Sequence, residues 1–204
     1  MKRFRILLIP LFFLVSGLTA DKDAGKNYLA KWVVMKGGSL KVQGSTNINN
    51  FTCEISNYSK PDTITVFKNR SDKEAISISG NLNLDIKGFD CFNPVMTADL
   101  RKTLKSKEHP YLKIRFLNLS RLPNLSLKQD FIKGGVDIEL AGVKKRFEVN
   151  YKFATGGNNT ILLIGDRDIT FSDFNLSPPR KIGGMIKTND ELSVRFQLTL
   201  KVID

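Results

Sequence analysis

The sequence is poor in the residues from which most catalytic and metal sites are built. It has one histidine, His109, and two cysteines, Cys53 and Cys91, among 204 residues. It also lacks a Cys-x-x-Cys pair, an HExxH pattern, a nucleophile elbow and a phosphate-binding loop. We therefore predict a protein that is not an enzyme and that has no catalytic residue, bound metal or cofactor.

Long apolar runs are also scarce, and the one present lies at the N-terminus. Three basic residues precede an apolar run at 6–15, and small residues follow it as far as Ala20. This order is typical of a secretory signal peptide. The run is too short to span a bilayer, which takes roughly 20 apolar residues in a helix. We expect residues 1–20 to be a signal peptide and residues 21–204 to form one periplasmic or secreted domain; an uncleaved anchor is the alternative.

Acidic residues are outnumbered, with 20 acidic against 32 basic residues and a net charge of +12. Removal of the signal peptide, which contains three basic residues, lowers this charge to +9. Such a balance favours anionic partners, namely lipid headgroups, polyphosphates or nucleic acid, and export argues against nucleic acid. The alternative is that the lysines solvate the outer faces of strands and protect exposed sheet edges.

The two cysteines predict a disulfide between Cys53 and Cys91, because an even cysteine count in an exported chain is typical of disulfide bonding. Two buried free thiols are the alternative. A metal site is poorly supported, since the chain offers a single histidine beside them.

Alternation of apolar and polar residues dominates the remaining sequence. The clearest case is the last segment, Leu192–Val202, in which six apolar residues alternate with polar ones. Period two over eleven residues is typical of a strand with one buried and one solvated face. The segments at 136–140 and 147–153 show the same period on either side of a short turn, which predicts a hairpin. Further strands are predicted at 40–42, 64–66, 76–79, 82–86, 114–116 and 161–171.

Helical spacing occurs once, between Pro94 and Pro110, with Thr97 as the predicted cap and Asp99 in the first turn. About eight strands must bury their apolar faces, and a sheet closed on itself does so without a long free edge. We therefore predict an all-β antiparallel barrel of about eight strands with one short helix. A two-sheet sandwich is the alternative.

Several segments, taken in their order and spacing, carry a resemblance to a known family. They are Gly44–Cys53, Ile86–Asn93, Met96–Leu100, His109–Phe116, Gly134–Val143 and Ile169–Phe174. Together they resemble the YceI-like proteins, which are exported lipocalin-like barrels associated with polyisoprenoid binding. The resemblance implies a YceI-like domain over residues 21–204 that binds an isoprenoid-like lipid or quinone in its lumen.

Inward-facing strand residues are the candidates for an apolar ligand tunnel, with ordinary core packing as the alternative for each of them. An apolar tunnel gains about 25 cal/mol for each Å² of ligand surface removed from water, so a tail can bind without a hydrogen bond. The candidates are Leu82, Leu84, Ile86, Ile138, Leu140, Val149, Tyr151, Phe153, Phe171, Val194, Phe196 and Leu198.

Loop residues at the barrel mouth are the candidates for contact with a polar or anionic headgroup. These are Lys87, Asn175, Arg180 and Lys181, for which plain surface polarity is the alternative. Membrane contact is expected to be transient at most, and the oligomeric state is left open. The second functional hypothesis is a structural or interaction protein, with a solid barrel and a basic surface that binds an anionic envelope component.

Overall fold

The structure is a computed structural model that describes residues 28–67 and 75–203, so the predicted signal peptide lies outside the described residues. Its strands are β1 (Tyr28–Val34), β2 (Gly38–Thr46), β3 (Asn50–Tyr58), β4 (Thr63–Phe67), β5 (Ile76–Asp85), β6 (Tyr111–Leu119), β7 (Gln129–Leu140), β8 (Val143–Gly157), β9 (Thr160–Thr170), β10 (Arg180–Lys181) and β11 (Ile186–Ile203). The helix α1 (Pro94–Thr103) lies between β5 and β6. Among these residues, none of the helical segments has the length and apolar character that a membrane crossing requires.

The strands form a closed antiparallel barrel with eight strand positions around its circumference. Pairing runs in the order β1-β4-β5-β6-β7-β8-β9-β11, and β11 returns to pair with β1, which closes the sheet. Strands β1 and β2 pair with successive parts of β11 and so share one position in the barrel. In the next position, β4 pairs with β1 and β3 pairs with β2. The barrel and its hairpin of β7 and β8 are confirmed, and the sandwich alternative is wrong.

The interior is filled because glycines lie opposite aromatic residues on neighbouring strands. Gly165 pairs with Tyr151 on one side and with Phe196 on the other. A Cβ atom on Gly165 would lie 2.2 Å from the Phe196 ring, so the ring occupies space that only glycine leaves open. The Tyr151 and Phe196 rings pack edge to face at 6.1 Å between centroids. Large and small residues thus interlock across the barrel.

Helix α1 closes one end of the barrel, which we call the helix end. Leu100 and Leu104 are buried there against the inward residues of the strands. The predicted cap is wrong: the helix begins at Pro94, and the Asn93 side chain accepts from the Met96 N–H at 3.0 Å. Asn is a strong N-cap and Pro favours the first helical position. Thr97 is buried instead, and its hydroxyl accepts from the Cys91 N–H at 3.0 Å.

The disulfide between Cys53 and Cys91 is confirmed and holds the chain leading into α1 against β3. Among the described residues, the β4–β5 ladder consists of two residue pairs, and β3 has no ladder with β5. Glu54 and Asp90 fill this seam with two backbone hydrogen bonds of 2.8 and 2.9 Å. The disulfide lies beside them, so it fastens the chain that enters α1 to β3 at this seam.

On the outer wall, Asp137 accepts from three basic side chains on neighbouring strands. The Arg146 Nε lies 2.9 Å from one carboxylate oxygen, and Arg115 and Lys144 approach the other. These hydrogen bonds, led by those from Arg146 and Arg115, hold the pKa of Asp137 well below its usual range. Three basic side chains of the barrel therefore form ion pairs with a carboxylate of its own outer wall.

Replacement of both cysteines, Cys53→Ser with Cys91→Ser, is expected to lower the free energy of unfolding by about 4 kcal/mol, since the bond closes a long loop in the unfolded chain. The two cysteines are 38 residues apart. Urea unfolding of the variant and of wild type with and without reductant measures this. Reduced wild type should match the variant, and no loss on reduction would contradict the predicted role.

Tyr151→Phe is expected to raise the free energy of unfolding by about 1 kcal/mol, because a buried hydroxyl without a partner costs stability. The Tyr151 hydroxyl is buried and has no hydrogen-bond partner among the described residues, and burial raises its pKa. Tyr58→Phe is the matched control and should lose stability, since the Tyr58 hydroxyl donates to Asp62. Destabilisation by Tyr151→Phe would show that the hydroxyl is hydrogen-bonded after all.

Asp137→Asn is expected to lower stability most above pH 4, where an unfolded aspartate is ionised. The folded carboxylate has a depressed pKa, so its contribution is present above the unfolded pKa and is lost as the pH falls through the folded pKa. Urea unfolding of both proteins from neutral to acid pH should show the difference shrinking with acid. A difference independent of pH would count against the ion-pair origin.

Candidate functional site

The lumen, where the sequence predicts a ligand, is almost filled by side chains. The cavities between its strands include two small ones, with volumes of about 60 and 30 Å³. Five residues line both of them: Leu40, Ile114, Ile138, Ile169 and Val194. An apolar cavity that binds benzene has a volume of about 150 Å³, so each of these spaces is smaller than a single aromatic ligand needs.

The twelve predicted lining residues all belong to the barrel core. Ten are buried, and Ile138 and Val194 are partly buried and pack against the others. Those that line the two cavities are Ile138, Leu140, Val149, Val194 and Phe196. Phe171 lies elsewhere, at the helix end, where it lines a larger space. That these residues contact a ligand stays a prediction.

The larger space is an open apolar groove of about 320 Å³ at the helix end. Its walls come from the turn joining β2 and β3, from the first half of α1, and from the segment 179–188. Most of its lining is apolar. The lining residues are Thr46, Ile48, Asn49, Phe51, Cys53, Asn93, Val95, Met96, Asp99, Leu100, Phe171, Pro179, Lys181, Ile182, Ile186 and Thr188.

Polar contacts fasten the three walls of the groove to one another. The Asn47 side-chain amide donates to the Met185 carbonyl at 2.9 Å and accepts from the Lys187 N–H at 2.8 Å. These bonds tie the β2–β3 turn to the segment 179–188. Lys181 forms an ion pair with Asp99 and thereby ties the same segment to α1. The groove is therefore a built feature of the fold rather than a gap between independent loops.

Leu100 lies between the groove and the barrel interior. Its side chain is buried and lines both the groove and the cavity of about 60 Å³. Leu104, which directly follows the last residue of α1, lines the inner cavity. The helix thus presents one set of side chains to the interior and another, including Val95 and Met96, to the groove.

The four predicted headgroup residues are not brought together. Lys181 lines the groove, where its ammonium group is paired with Asp99. Arg180 is exposed beside it and pairs with Lys187 in the short β10–β11 ladder. Asn175 is exposed in a left-handed conformation after the helical turn Ser172–Phe174. Lys87 is exposed in the helical turn Ile86–Gly88. Of the four, Lys181 is the one that lines the groove.

Sequence reasoning missed most of the groove, because its apolar residues show no periodicity. Ile48 lies in a turn, Val95 in the first turn of α1, and Ile182 in the loop after two prolines. Ile48 and Ile182 are single apolar residues without apolar neighbours in sequence, and Val95 is followed by one, Met96. The available signal was the run Arg180–Lys187, in which apolar residues and glycines are bracketed by basic ones in a segment with no acidic residue.

His109, the single histidine, lies in the turn after α1. Its backbone N–H donates to the Lys105 carbonyl at 2.8 Å. A Cβ atom on Gly142 would lie 2.8 Å from its ring, which therefore packs over the β7–β8 turn. Among the described residues, no group of three or more His, Cys, Asp or Glu side chains is placed to hold a metal ion.

Comparison with known proteins gives matches among solved structures. No protein-family model matches the chain, and no curated protein matches its sequence. The chain is similar to Burkholderia cenocepacia BcnA, with 15% identity and a TM-score of 0.55 over 79% of this chain and 95% of that one. It is also similar to a polyisoprenoid-binding domain from Saccharophagus degradans, with 11% identity and a TM-score of 0.61 over 86% of this chain and 100% of that domain.

A third similar structure is that of a mutant YceI protein of Campylobacter jejuni. It has 14% identity and a TM-score of 0.51, over 69% of this chain and 80% of that one. At this identity the likenesses establish the fold alone. The described residues form a barrel with the YceI-like fold.

Proposed function

We propose that this protein binds an apolar, isoprenoid-like lipid or quinone without changing it chemically, and that the groove at the helix end holds the lipid tail. The groove itself carries the proposal: it has a volume of about 320 Å³ and a mostly apolar lining. Small-molecule sites typically occupy about 300–1,000 Å³ and combine apolar walls with a few polar groups. A similar structure is named as a polyisoprenoid-binding domain, which supports this class of ligand.

Burial of apolar surface supplies the affinity. Removal of tail surface from water contributes about 25 cal/mol for each Å². The side chains of Met96, Ile186 and Phe171 line the groove and form an apolar wall against which the tail can pack. No hydrogen bond to the tail is required. The barrel interior would need to rearrange to accept the same tail, because its two cavities are far smaller than the groove.

The polar end of the ligand lies at the edge of the groove, beside its polar lining residues Lys181, Asn49 and Asn93. Lys181 is already paired with the Asp99 carboxylate. A pyrophosphate would compete with Asp99 for the ammonium group and would meet the carboxylate at close range. A neutral head with hydrogen-bonding oxygens, such as a quinone or an alcohol, avoids this repulsion and is the head that the groove favours.

The proposed location is the periplasm or the exterior. The predicted signal peptide directs export, and the disulfide between Cys53 and Cys91 is typical of oxidising compartments. In such a compartment an apolar lipid needs cover from water when it leaves a membrane. A groove that shields the tail and leaves the head accessible provides that cover.

Val95→Glu is expected to weaken binding of an apolar lipid by about tenfold or more, since it places a charge against the tail. Val95 lines the groove and is 64% exposed. It lies in the first turn of α1, where a negative charge is favourable, so the fold should persist. Native mass spectrometry of the processed chain from its own cell envelope, followed by organic extraction, measures the bound lipid.

Two further variants separate the groove from other sites. Phe131→Glu is the matched control, because Phe131 is 67% exposed and does not line the groove. Val194→Leu adds bulk beside both interior cavities. Groove binding predicts full lipid occupancy in both variants. Loss of lipid in Val194→Leu but not in Val95→Glu would assign the tail to the lumen. A chain that carries no lipid and takes up no added polyprenyl lipid would support the solid-barrel alternative.

A further inference from the structure

The helix end exposes an unusual concentration of large apolar side chains. Apart from Phe131, the most exposed ones among the described residues all surround the groove, with exposed fractions of 64–73%. We call these five the apolar rim: Ile48, Phe92, Val95, Ile182 and Met185. A contiguous exposed apolar patch on a soluble domain usually marks a contact with a partner or a membrane.

Two residues of the rim are held in a strained backbone conformation. Phe92 has φ +58° and Ile182 has φ +51°, both in the left-handed region. A β-branched or bulky residue there is a genuine outlier, whereas glycine or asparagine is tolerated. Strain of this kind persists only where the surrounding structure holds it in place, and it clusters at functional sites. Here the strained residues are also among the most exposed, so the backbone is strained where it presents apolar side chains to solvent.

Basic residues flank the apolar rim at the hairpin 180–187. Arg180 and Lys187 are both exposed and pair across the base of this hairpin, below Ile182 and Met185. Neither forms an ion pair among the described residues. The hairpin contains no acidic residue. Apolar side chains at the tip and cations at the base match the two layers of an anionic bilayer surface, acyl boundary and headgroups.

We propose that the apolar rim docks this protein onto the surface of an anionic phospholipid bilayer, with Arg180 and Lys187 at the level of the headgroups. Phe92 and Met185 contact the bilayer and do not line the groove. Docking places the open side of the groove against the membrane, so that a lipid can pass between the two without crossing water. The contact goes beyond the proposed lipid site and does not depend on the identity of its ligand.

Partitioning onto vesicles tests the docking. The processed chain is sedimented with vesicles that contain phosphatidylglycerol and with vesicles of pure phosphatidylcholine. Wild type should bind the former and bind the latter much less. Phe92→Asn with Met185→Asn should reduce binding by about tenfold or more. Asparagine tolerates the left-handed conformation of residue 92, and Met185 is exposed, so the double variant should melt no lower than wild type.

Phe131→Asn is the matched control, because it removes an equally exposed aromatic residue outside the rim and should partition as wild type does. Equal binding by the double variant, or no preference for anionic vesicles, would overturn the proposal. So would a wild-type chain that ignores vesicles but dimerises in sedimentation velocity through Phe92 and Met185, which would assign the rim to a second copy.

The double variant also separates the docking from the lipid site. It leaves the groove lining intact, so its lipid adduct in native mass spectrometry should match that of wild type. Loss of vesicle binding with the adduct retained supports docking. Met96 lines the groove and lies outside the apolar rim, so retained vesicle binding in Met96→Gln without the adduct shows that docking does not require the bound lipid.

Discussion

Closure of the sheet is the constraint on which the rest of the structure depends. Once β11 pairs with β1, every strand of the closed barrel has an inner face that water cannot solvate, and the enclosed space must be occupied. The chain meets this demand with its own side chains. Gly165 leaves room for the Phe196 ring, Gly134 approaches Tyr151, and α1 closes the end with Leu100 and Leu104. With the interior filled, the open apolar groove lies outside the barrel, between α1 and the loops around it.

The barrel could be predicted from the sequence because the alternation of apolar and polar residues is visible within a single strand. In β11 the alternation of Leu192 to Val202 reports a buried face whichever strands lie beside it, and the glycines and short turns mark the hairpins. The pairing of Cys53 with Cys91 followed from a count of two. Even so, alternation states that a residue points inward and not whether it meets a ligand or another side chain. The lumen residues were therefore identified as a core, while their role in binding stays open.

The groove could not be predicted in the same way, because it depends on segments far apart in the chain. Ile48, Val95 and Ile182 approach one another through the disulfide, the Asn47 bonds and the Lys181–Asp99 pair. None of these contacts leaves a periodic trace in sequence. The position of Thr97 shows the same limit, since a local rule favoured it as a cap while Asn93, three residues upstream of Met96, satisfied the exposed N–H group. Lys181 was found because basic residues after a double proline stand out, not because its partner was visible.

The excess of positive charge does not by itself identify the side proposed to face a membrane. Much of the outer wall is neutralised in pairs, such as Lys113 with Glu139 and Lys133 with Glu148. What distinguishes the hairpin 180–187 is that its cations border the apolar rim. Charge alone attracts a protein to an anionic bilayer from a distance, and apolar contact is needed to hold it there. The strained backbone at Ile182 is explained if apolar contact with the bilayer is the function of the tip of the hairpin 180–187.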